Sequence, residues 1–551
     1  MKKKENNLKW IFSKTKGSRV ALFCLMIVTI IAVSAQVMIA YALKLFIDSA
    51  TNMTELTIEN VTVFFALVLV MCGFTCIAAS VLRKIIEGRI IFRLRNNIME
   101  HIMRGEYRNV QAYHSVDVLT KLTNDAEQIA GYFPKLITDI VGGIYIFLAA
   151  VISMYMLNGK IALLITIVTP LLIVCISLFN FPISKADKKK KESEEYNRIV
   201  LQEQIERVKT IKVYNIQEKC TKILEEVYHK VYKSNVTFGL WEGVAVFCND
   251  LIGNAMLLIA LGMGAVLVKK GETSVGTLIA IVQLMNYIIA PFSKVSAGCS
   301  EIAQTNNSVK RIQEIEKIEI PSLEPKENAI IKEIEEINID HVSFFYDEKE
   351  VLVDVNISFK KNNIYCVIGD NGSGKTTLIN LIAGLDKPQK GALSYLCNGG
   401  KKYDGVPVEK IGFLPASEQL FSESIKNNIT LFEEKVQEAE FEAAVRDSGV
   451  DKFVREFPKQ YDTVLAGNGK SASSGQIQKI NIARALYRNS PVIILDEPTV
   501  NLDSDSVKQL KETLHRIKEN RIIIVVTHDE DFIADCDCCY HIHDGILCKR
   551  I

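Results

Sequence analysis

The chain has 551 residues, a formal net charge of +1 at pH 7 and a hydrophobic fraction of 48%. This length predicts several domains, about three at the usual domain size, and the nearly neutral charge gives no basis for a nucleic-acid partner. Long apolar runs fill the first three hundred residues, whereas the remainder alternates like a soluble α/β protein. The thirteen cysteines lack framework spacing, so we expect reduced thiols.

The chain begins with a basic segment, residues 1–19, in which Trp10 and Phe12 lie among lysines. This pattern predicts a short amphipathic helix on the inner membrane surface. A cleaved signal peptide would also begin with basic residues. The apolar run over 20–43 is longer than a signal core and lacks a clear small-residue cleavage site. We therefore expect the segment to be retained.

Six apolar segments have the roughly 20 residues that a bilayer crossing requires. They are residues 20–43, 61–82, 136–157, 161–183, 244–268 and 276–297. Arginines and lysines concentrate after the second and fourth segments, on the side shared with both ends of the chain, while the loop after the first segment carries Glu55 and Glu59. The positive-inside rule therefore predicts a multi-pass protein of the cell membrane whose termini are both cytoplasmic.

Few polar side chains interrupt these segments, and the fifth contains a group of three. They are Asn249, Asp250 and Asn254. A charged group at membrane depth usually faces a water-filled cavity, so this group is a candidate cargo site. Interhelical hydrogen bonding with a purely structural role explains the same residues equally well. Both interpretations stay open, and neither identifies a cargo.

A polar linker is predicted at residues 301–336, where Pro321 and Pro325 break the chain. Beyond it, two strands meet at a turn near Asp347, and Tyr346 ends the first of them. The predicted domains are therefore an amphipathic segment (1–19), a transmembrane domain (20–300), the linker (301–336) and a C-terminal α/β domain (337–551).

The α/β domain contains a glycine-rich segment, GDNGSGKTT at residues 369–377, between the apolar run 365–368 and the helical pattern 378–383. Such a turn lets backbone N–H groups surround an anion, because glycine has no Cβ and the helix directs its positive end at the same point. In this motif Lys375 binds the β- and γ-phosphates of ATP, and the Thr376 hydroxyl binds Mg²⁺. The candidate nucleotide-binding residues are Gly369, Asn371, Gly372, Ser373, Gly374, Lys375, Thr376 and Thr377.

A second chemical motif is the apolar run 492–495, which ends in Asp496 and Glu497. A strand that ends in two carboxylates beside a phosphate site supplies what nucleotide hydrolysis needs. We expect Asp496 to hold Mg²⁺ and Glu497 to act as general base on the attacking water. A solvated acidic turn is the structural alternative, and the glycine-rich segment upstream makes it the weaker one.

Together these motifs resemble the ATP-binding cassette (ABC) exporters whose half-transporters join six membrane helices to one cassette. The resemblance is strong over 337–551 and weaker over 1–300. There, residues 115–129 and 203–215 are similar to the intracellular loops that carry the coupling helices of the family. It implies an all-α polytopic transmembrane domain with long cytosolic extensions, followed by an α/β P-loop NTPase domain with an antiparallel β subdomain and a helical subdomain.

Further residues take their roles from this resemblance. Tyr346 matches the aromatic residue that stacks on adenine. His528 matches the switch histidine that hydrogen-bonds the γ-phosphate and holds the water of Glu497 in line. The family's signature motif binds the nucleotide of a second chain, and its matches here are Ser473, Gly475 and Gln476. Asp503 matches the D-loop. One P-loop and one signature per chain imply a dimer, with a homodimer and a heterodimer equally open.

The sequence departs from the family at two motifs. Ala472 and Ser474 replace the usual residues of the signature, and Ala416 lies at the glutamine position of the Q-loop, three residues before Gln419. These departures predict weaker coupling or hydrolysis, as in family members that pair with a different chain. They do not touch Lys375 or the two acids.

The resemblance implies a function as well as a fold. It indicates ATP-driven export of an amphipathic or apolar cargo, such as a peptide, lipid or drug, by alternating access in a dimer that uses ATP and Mg²⁺. Two alternatives stay open. One is import of a metal chelate on the same architecture, and the other is a regulatory half with weak hydrolysis.

The C-terminal tail contains five potential metal ligands within eight residues. They are Cys536, Cys538, Cys539, His541 and His543. In a strand these side chains would be divided between two faces, and a second ligand pair at tetrahedral spacing is missing. The resemblance implies a final strand and a turn at Asp544 and Gly545 in this segment, so we expect these instead of a metal site.

Overall fold

The computed structural model describes most of the chain. It comprises residues 7–51, 57–320, 333–346, 348–397, 400–404, 408–416, 419–465 and 472–550. The chain divides into two compact units. The helical unit is Met1–Met103 with Tyr113–Ile318, and the α/β unit is Arg104–Ala112 with Glu319–Ile551.

Long helices make up the helical unit. In chain order, the helices before residue 319 are α1 (Asn7–Lys14), α2 (Arg19–Ala50), α3 (Ile58–Arg104), α4 (Tyr107–Gln111), α5 (Ser115–Thr120), α6 (Ala126–Lys135), α7 (Gly142–Leu157), α8 (Gly159–Glu206), α9 (Val208–Val213), α10 (Gln217–Lys269) and α11 (Val275–Glu316). Two π-helical turns, Lys121–Asp125 and Leu136–Val141, join α5, α6 and α7 without a break. The short helix α4 belongs to the α/β unit, although α3 and α5 flank it in sequence.

Helices overlap all six predicted membrane segments. Four of these have the length and hydropathy of a bilayer crossing, namely Arg19–Ala50, Ile58–Arg104, Ser115–Leu157 and Gln217–Lys269. In α8 and α11 the apolar stretches within the described residues, Gly159–Pro170 and Val275–Ile288, are shorter. At 1.5 Å per residue the 53 residues of α10 extend for about 80 Å, far beyond a hydrocarbon core of about 30 Å. Long extensions outside the bilayer therefore follow from helix length alone.

Small residues set the packing inside the helical unit. Ala40, Ala150, Ala260 and Ala280 are fully buried where α2, α7, α10 and α11 pack together. Side chains of this size let helix backbones approach closely, which is the main source of attraction between helices in lipid.

The start of α11 is held by the end of α2. The carboxylate of Asp48 accepts hydrogen bonds from the Gly276 backbone N–H (3.1 Å) and from the Ser274 hydroxyl (3.0 Å). A Cβ at position 276 would lie 2.5 Å from the carbonyl oxygen of Lys44. Glycine is therefore required here for close approach of the two helices.

Both ends of the helical unit meet at one carboxylate. Trp10 of α1 is buried, and its indole N–H donates to the Glu316 side chain at 2.9 Å, while the ammonium of Lys14 lies 2.5 Å from the same carboxylate. The helix predicted to lie on the membrane surface thus packs its tryptophan against protein. Residues 301–316, predicted as part of the linker, are the last turns of α11, because they contain neither proline nor glycine to end the helix.

The α/β unit contains two sheets and several helices. Its strands are β1 (Ile334–Tyr346), β2 (Lys349–Lys360), β3 (Asn363–Gly369), β4 (Lys390–Cys397), β5 (Lys401–Asp404), β6 (Ile411–Leu414), β7 (Val492–Asp496), β8 (Ile522–Val526), β9 (Cys538–His543) and β10 (Ile546–Arg550). Its helices after residue 319 are α12 (Lys375–Ile382), α13 (Ile425–Thr430), α14 (Glu438–Ser448), α15 (Val450–Val454), α16 (Ser474–Tyr487), α17 (Ser504–Ile517) and α18 (Glu530–Ile533).

The two sheets differ in topology. One is antiparallel with strand order β2-β1-β4-β5, and the other has the order β10-β9-β3-β8-β7-β6. In the second sheet β6, β7, β8, β3 and β9 are parallel to their neighbours, and only β10 is antiparallel. Helices α13 to α16 share a separate apolar cluster. An all-α domain followed by an α/β domain with antiparallel β and helical subdomains was the predicted fold class, and it is confirmed.

The central strands β7 and β8 are apolar, except for Asp496 at the end of β7, because both of their faces are covered. Every residue of β7 and β8 is buried. Ile494 packs in the cluster that contains α12 and the antiparallel sheet, whereas Ile493 packs in the cluster that contains α16 and α17. Burial on two faces removes the alternation expected of a half-exposed strand.

Candidate functional site

Three neighbouring parallel strands carry the predicted chemical groups to one edge of the sheet. The glycine-rich segment follows β3, the two acids end β7, and His528 lies two residues after β8. Their order in the sheet is β3-β8-β7. Because carboxyl ends of parallel strands meet at one edge, segments distant in sequence come together there.

The backbone of the glycine-rich segment has the conformation of an anion-binding loop. Gly372 and Gly374 have φ angles of 82° and 110°, which are left-handed values that favour glycine. A Cβ on Gly374 would lie 2.9 Å from the carbonyl oxygen of Val351. Helix α12 begins at the next residue, so its free N–H groups point at the loop.

Two polar groups inside this loop fit a bound phosphate. The ammonium of Lys375 donates to the carbonyl oxygens of Gly369 (2.6 Å) and Asp370 (3.0 Å), so its charge is held at the centre of the loop. The Ser373 hydroxyl is buried and has no hydrogen-bond partner in the described part of the chain. A buried hydroxyl without a partner is costly, and a phosphate oxygen would satisfy it.

The acids after β7 lie in different environments. The carboxylate of Asp496 is buried, and burial together with the neighbouring Glu497 raises its pKa to about 6, while Lys375 opposes the shift. The Glu497 carboxylate is partly exposed and lies 3.3 Å from His528 Nε2. Oxygen donors from Asp496 and Thr376 fit a Mg²⁺ ion, whose charge would offset the buried carboxylate.

A cavity of about 470 Å³ unites most of the predicted nucleotide-binding residues. It is lined by Tyr346, Lys349, Val351, Asn371, Gly372, Gly374, Lys375, Thr376, Thr377, Ala416, Asp496, Glu497 and His528. Lys349 and Val351, which follow the turn after Tyr346, carry no motif that predicts them here. Ala416, which the resemblance aligns with the glutamine of the Q-loop, lies in the wall of this cavity.

The signature residues occupy another place in the α/β unit. Ser473 caps α16: its hydroxyl accepts from the Gln476 backbone N–H (3.3 Å), and the Gln476 side chain accepts from the Ser473 N–H (2.9 Å). A Cβ on Gly475 would lie 2.7 Å from the carbonyl oxygen of Asn501. Asp503 caps α17. None of these predicted site residues is among those that line the 470 Å³ cavity.

Sequence reasoning missed a cation next to the predicted adenine-stacking residue. The Arg108 guanidinium of α4 lies 5.5 Å from the ring centre of Tyr346 and 5.6 Å from that of Phe344. Burial raises the pKa of Asp386, and the Arg108 guanidinium is close enough to oppose this shift. No local signal could reveal this contact, since Arg108 precedes Tyr346 by more than two hundred residues.

The cysteine- and histidine-rich tail forms strands, as predicted. It comprises β9 and β10, joined by a turn in which Asp544 and Gly545 have φ angles of 47° and 80°. Among the described residues no group of three or more potential ligands is placed to hold a metal ion.

The helical unit has a cavity of about 470 Å³ of its own. Its wall includes Gln36, Ser80, Arg83, Asp139 and Tyr287, together with small apolar residues of α2 and α7. The Arg83 side chain donates to Glu87 (2.9 Å), whereas the Asp139 carboxylate accepts a 3.3 Å hydrogen bond from the Thr138 hydroxyl.

The residues predicted as a cargo site lie outside this wall. Asp250 and Asn254 are exposed on α10, and the side chain of Asn249 falls outside the described residues. A cargo site at these residues of α10 stays a prediction.

Comparison with known proteins gives matches along nearly the whole chain. The family profile for the ABC transporter transmembrane region matches residues 19–292, and the profile for the ABC transporter matches residues 352–500. The chain is 25% identical to the ATP-dependent lipid A-core flippase of Syntrophus aciditrophicus over 528 residues, 94% of this chain and 86% of the flippase. It is 24% identical to a multidrug resistance ABC transporter ATP-binding and permease protein of Lactococcus lactis subsp. cremoris, over 88% of this chain and 82% of that protein.

A solved structure shares the fold. The structure of a bacterial Atm1-family ABC exporter with ATP bound superposes with a TM-score of 0.77 and covers 96% of this chain and 94% of that chain. The two sequences are 18% identical, so this likeness concerns the fold alone.

Proposed function

Because this chain belongs to the ABC transporter family as an exporter-type half-transporter that hydrolyses ATP, we propose that it exports an amphipathic or hydrophobic cargo by alternating access in a dimer. One observation carries the proposal. The cavity of the α/β unit joins the phosphate-binding loop, two acids and His528, while the signature of the same chain lies elsewhere. A second chain would complete each nucleotide site.

Within the site, each side chain has a separate role. Lys375 and the backbone of residues 371–377 would bind the phosphates, and Tyr346 would stack on adenine. Asp496 and Thr376 would hold Mg²⁺, which neutralises developing phosphate charge. Glu497 would accept a proton from the attacking water, and His528, beside it, would hold that water and donate to the γ-phosphate.

We place the cargo in the cavity of the helical unit. Apolar walls suit a hydrophobic body, and Asp139 and Arg83 provide charged contacts for a polar head. Amphipathic peptides, lipids and drugs all combine a hydrophobic body with a polar head. The charge distribution of the loops supports cytoplasmic termini and a cytoplasmic nucleotide site. Import of a metal chelate, which the sequence left open, is not favoured by relatives named as a flippase and a multidrug resistance transporter.

Purified chain reconstituted in lipid vesicles tests this function. We would measure Mg-ATP hydrolysis and ATP-driven movement of three probes, a fluorescent phospholipid, an amphipathic dye and a short hydrophobic peptide. Wild type should hydrolyse ATP and move at least one probe, Glu497→Gln should bind ATP without turnover, and the exposed Glu512→Gln should behave as wild type. Binding without hydrolysis in wild type would instead support a regulatory half, consistent with Ala416 in the cavity, or a missing second subunit.

A further inference from the structure

The side chain of Gln478 connects the signature helix to the acid proposed as general base. Gln478 lies in the second turn of α16 and is half-buried. Its amide N–H group donates to the backbone carbonyl oxygens of Glu497 (3.3 Å) and Pro498 (3.2 Å). Gln478 does not line the nucleotide cavity, so any effect on chemistry must pass through the backbone that it holds.

The backbone at Glu497 needs external support. Its φ angle is 49°, a left-handed value that is uncommon for a residue with a Cβ and persists only where surrounding contacts enforce it. The Glu497 N–H donates to the carbonyl oxygen of Val526 on β8 (2.8 Å). The Glu497 carbonyl accepts from the Val500 N–H in the following turn (3.3 Å) and from the Gln478 side chain (3.3 Å). The sheet, the following turn and the signature helix therefore each supply a contact, and Gln478 is the side chain among them.

The segment after Glu497 follows the same helix. Gly475 is so close to the carbonyl of Asn501 that a Cβ would clash with it, and Asn501 has a φ angle of 64°. Lys479 lies 3.8 Å from Asp503. Residues 497–503 thus run along the first two turns of α16, and Gln478 provides their contact at the acidic end.

We propose that Gln478 is a positioning residue for ATP hydrolysis, holding the left-handed backbone at Glu497 so that the carboxylate faces His528 and the nucleotide cavity. This inference rests on the proposed role of Glu497. It has a consequence for the dimer, because α16 begins with the signature that would bind the nucleotide of the second chain. When the signature binds that nucleotide, a displacement of α16 is transmitted through the Gln478 side chain to the backbone of Glu497 in this chain's own site.

Two substitutions separate hydrogen bonding from packing. Gln478→Met keeps the length of the side chain and removes the donor, whereas Gln478→Lys restores a donor that reaches both carbonyls. We expect Gln478→Met to lower kcat about tenfold, because a misplaced general base loses its alignment, with KM for ATP within about twofold of wild type. Gln478→Lys should recover most of the loss.

The matched control is Gln509→Met on α17. The amide of Gln509 also donates to a backbone carbonyl, that of Arg446 (2.8 Å), but at an exposed place away from the cavity. Its kcat and KM should equal those of wild type. Loss of kcat in this variant as well would overturn a specific role for Gln478.

Hydrogen exchange in the full-length protein gives a readout that does not depend on turnover. In Gln478→Met the backbone amides of Glu497 and of residues 499–501 should exchange about tenfold faster than in wild type, and Gln478→Lys should restore protection. Exchange in β8 should not change. Unaltered exchange at 497–501 overturns the proposal even if the chain lacks ATPase activity.

The kinetic outcomes are equally decisive. Wild-type kcat in Gln478→Met overturns the proposal, and so does a combined loss of kcat, ATP affinity and thermal stability that Gln478→Lys fails to restore, since that pattern describes a structural role. Turnover by Glu497→Gln at the wild-type rate would instead refute the proposed role of the acid, and hydrogen exchange would still decide whether Gln478 holds this backbone.

Discussion

The start of α12 and the start of α16 are two helix N-termini that the proposed function assigns to the same ligand, the triphosphate of ATP. The loop before α12 contains a buried ammonium, two left-handed glycines and a buried hydroxyl without a partner. The start of α16 has an exposed serine and no charged residue over 472–476, and its capping box satisfies two of its own backbone N–H groups.

This difference indicates that the two N-termini contribute differently to a nucleotide site shared between two chains. The first N-terminus is built to bind phosphate within one chain, because the charge and the loop conformation are already in place. The second has its hydrogen bonds satisfied internally, so it offers little to a phosphate until another surface orients one toward it. Affinity should therefore depend on α12, and turnover on α16.

The largest effect that this comparison predicts is at Lys375. Lys375→Ala removes the buried charge at the loop and should weaken ATP binding by at least about 100-fold, given the strength of two charge-assisted hydrogen bonds. Binding of a fluorescent ATP analogue to detergent-purified protein measures this. Lys508→Ala, an exposed lysine on α17, is the control. Near-normal affinity of Lys375→Ala would mean that the loop backbone alone binds the phosphates.

Gly475→Ala tests the other N-terminus. The added Cβ would lie 2.7 Å from the carbonyl oxygen of Asn501 and must displace the start of α16. We expect hydrolysis to fall by roughly 10-fold to 100-fold, while ATP affinity of the single chain changes little. ATPase assays and nucleotide titration on the same sample measure both. The control Ser474→Ala, at the exposed neighbouring position, should have no effect. An equal loss of ATP affinity in Gly475→Ala would contradict the assignment of affinity to α12 and of turnover to α16.

The next effect is a pH dependence at Asp496. Its pKa of about 6 lies above the ordinary 3.8, so the folded state holds this proton more tightly than the unfolded state. The resulting contribution to stability is complete below about pH 4 and is lost as pH rises through 6. Because Mg²⁺ binds the ionised carboxylate, Mg-ATP affinity should rise with pH, at most about tenfold per unit, up to pH 6 and level off near 7.

Calorimetric titration with Mg-ATP at several pH values measures this dependence. Asp496→Asn should abolish it and Glu512→Gln should leave it unchanged. A flat profile between pH 5 and 7 in wild type would contradict the assignment of Asp496 as the Mg²⁺ ligand.

The smallest effect is at Ala416. If the missing glutamine limits hydrolysis, Ala416→Gln places an amide in the wall of the cavity beside the acids and should raise kcat a few-fold without changing ATP affinity. Steady-state ATPase assays decide this. The exposed Gln419→Ala serves as a comparison, because a loss of activity there would mean that the later glutamine already fills the role.

Most of the nucleotide site was predictable because its parts are local. A strand, a glycine-rich turn and a helix follow one another within about twenty residues at β3 and α12, and the acids follow an apolar run at β7. Parallel pairing then brings Lys375, Glu497 and His528 together. Helices overlap the six predicted membrane segments, and four of these helices have the length and hydropathy of a crossing within the described residues, because a bilayer requires a minimum apolar length.

Contacts between distant segments were not predictable. Arg108 beside Tyr346, Glu316 beside Trp10 and Asp48 at the start of α11 each join residues separated by more than two hundred positions. Hydropathy and turn residues describe local structure and do not predict contacts between segments so far apart in sequence. The predicted linker also includes the last turns of α11, because polar composition over 301–316 indicates a linker although no proline or glycine there interrupts the helix.

The left-handed backbone at Glu497 implies a trade-off between stability and activity. A residue with a Cβ costs about 1 kcal/mol in this conformation, whereas glycine tolerates it and asparagine adopts it more readily than glutamate. Glu497→Gly and Glu497→Asn should thus unfold at higher temperature than wild type and lack turnover, while Glu497→Gln, which keeps the unfavourable backbone, should be inactive without that gain. The chain retains a carboxylate where other residues would make it more robust, as expected if selection acts on turnover and not on thermal endurance.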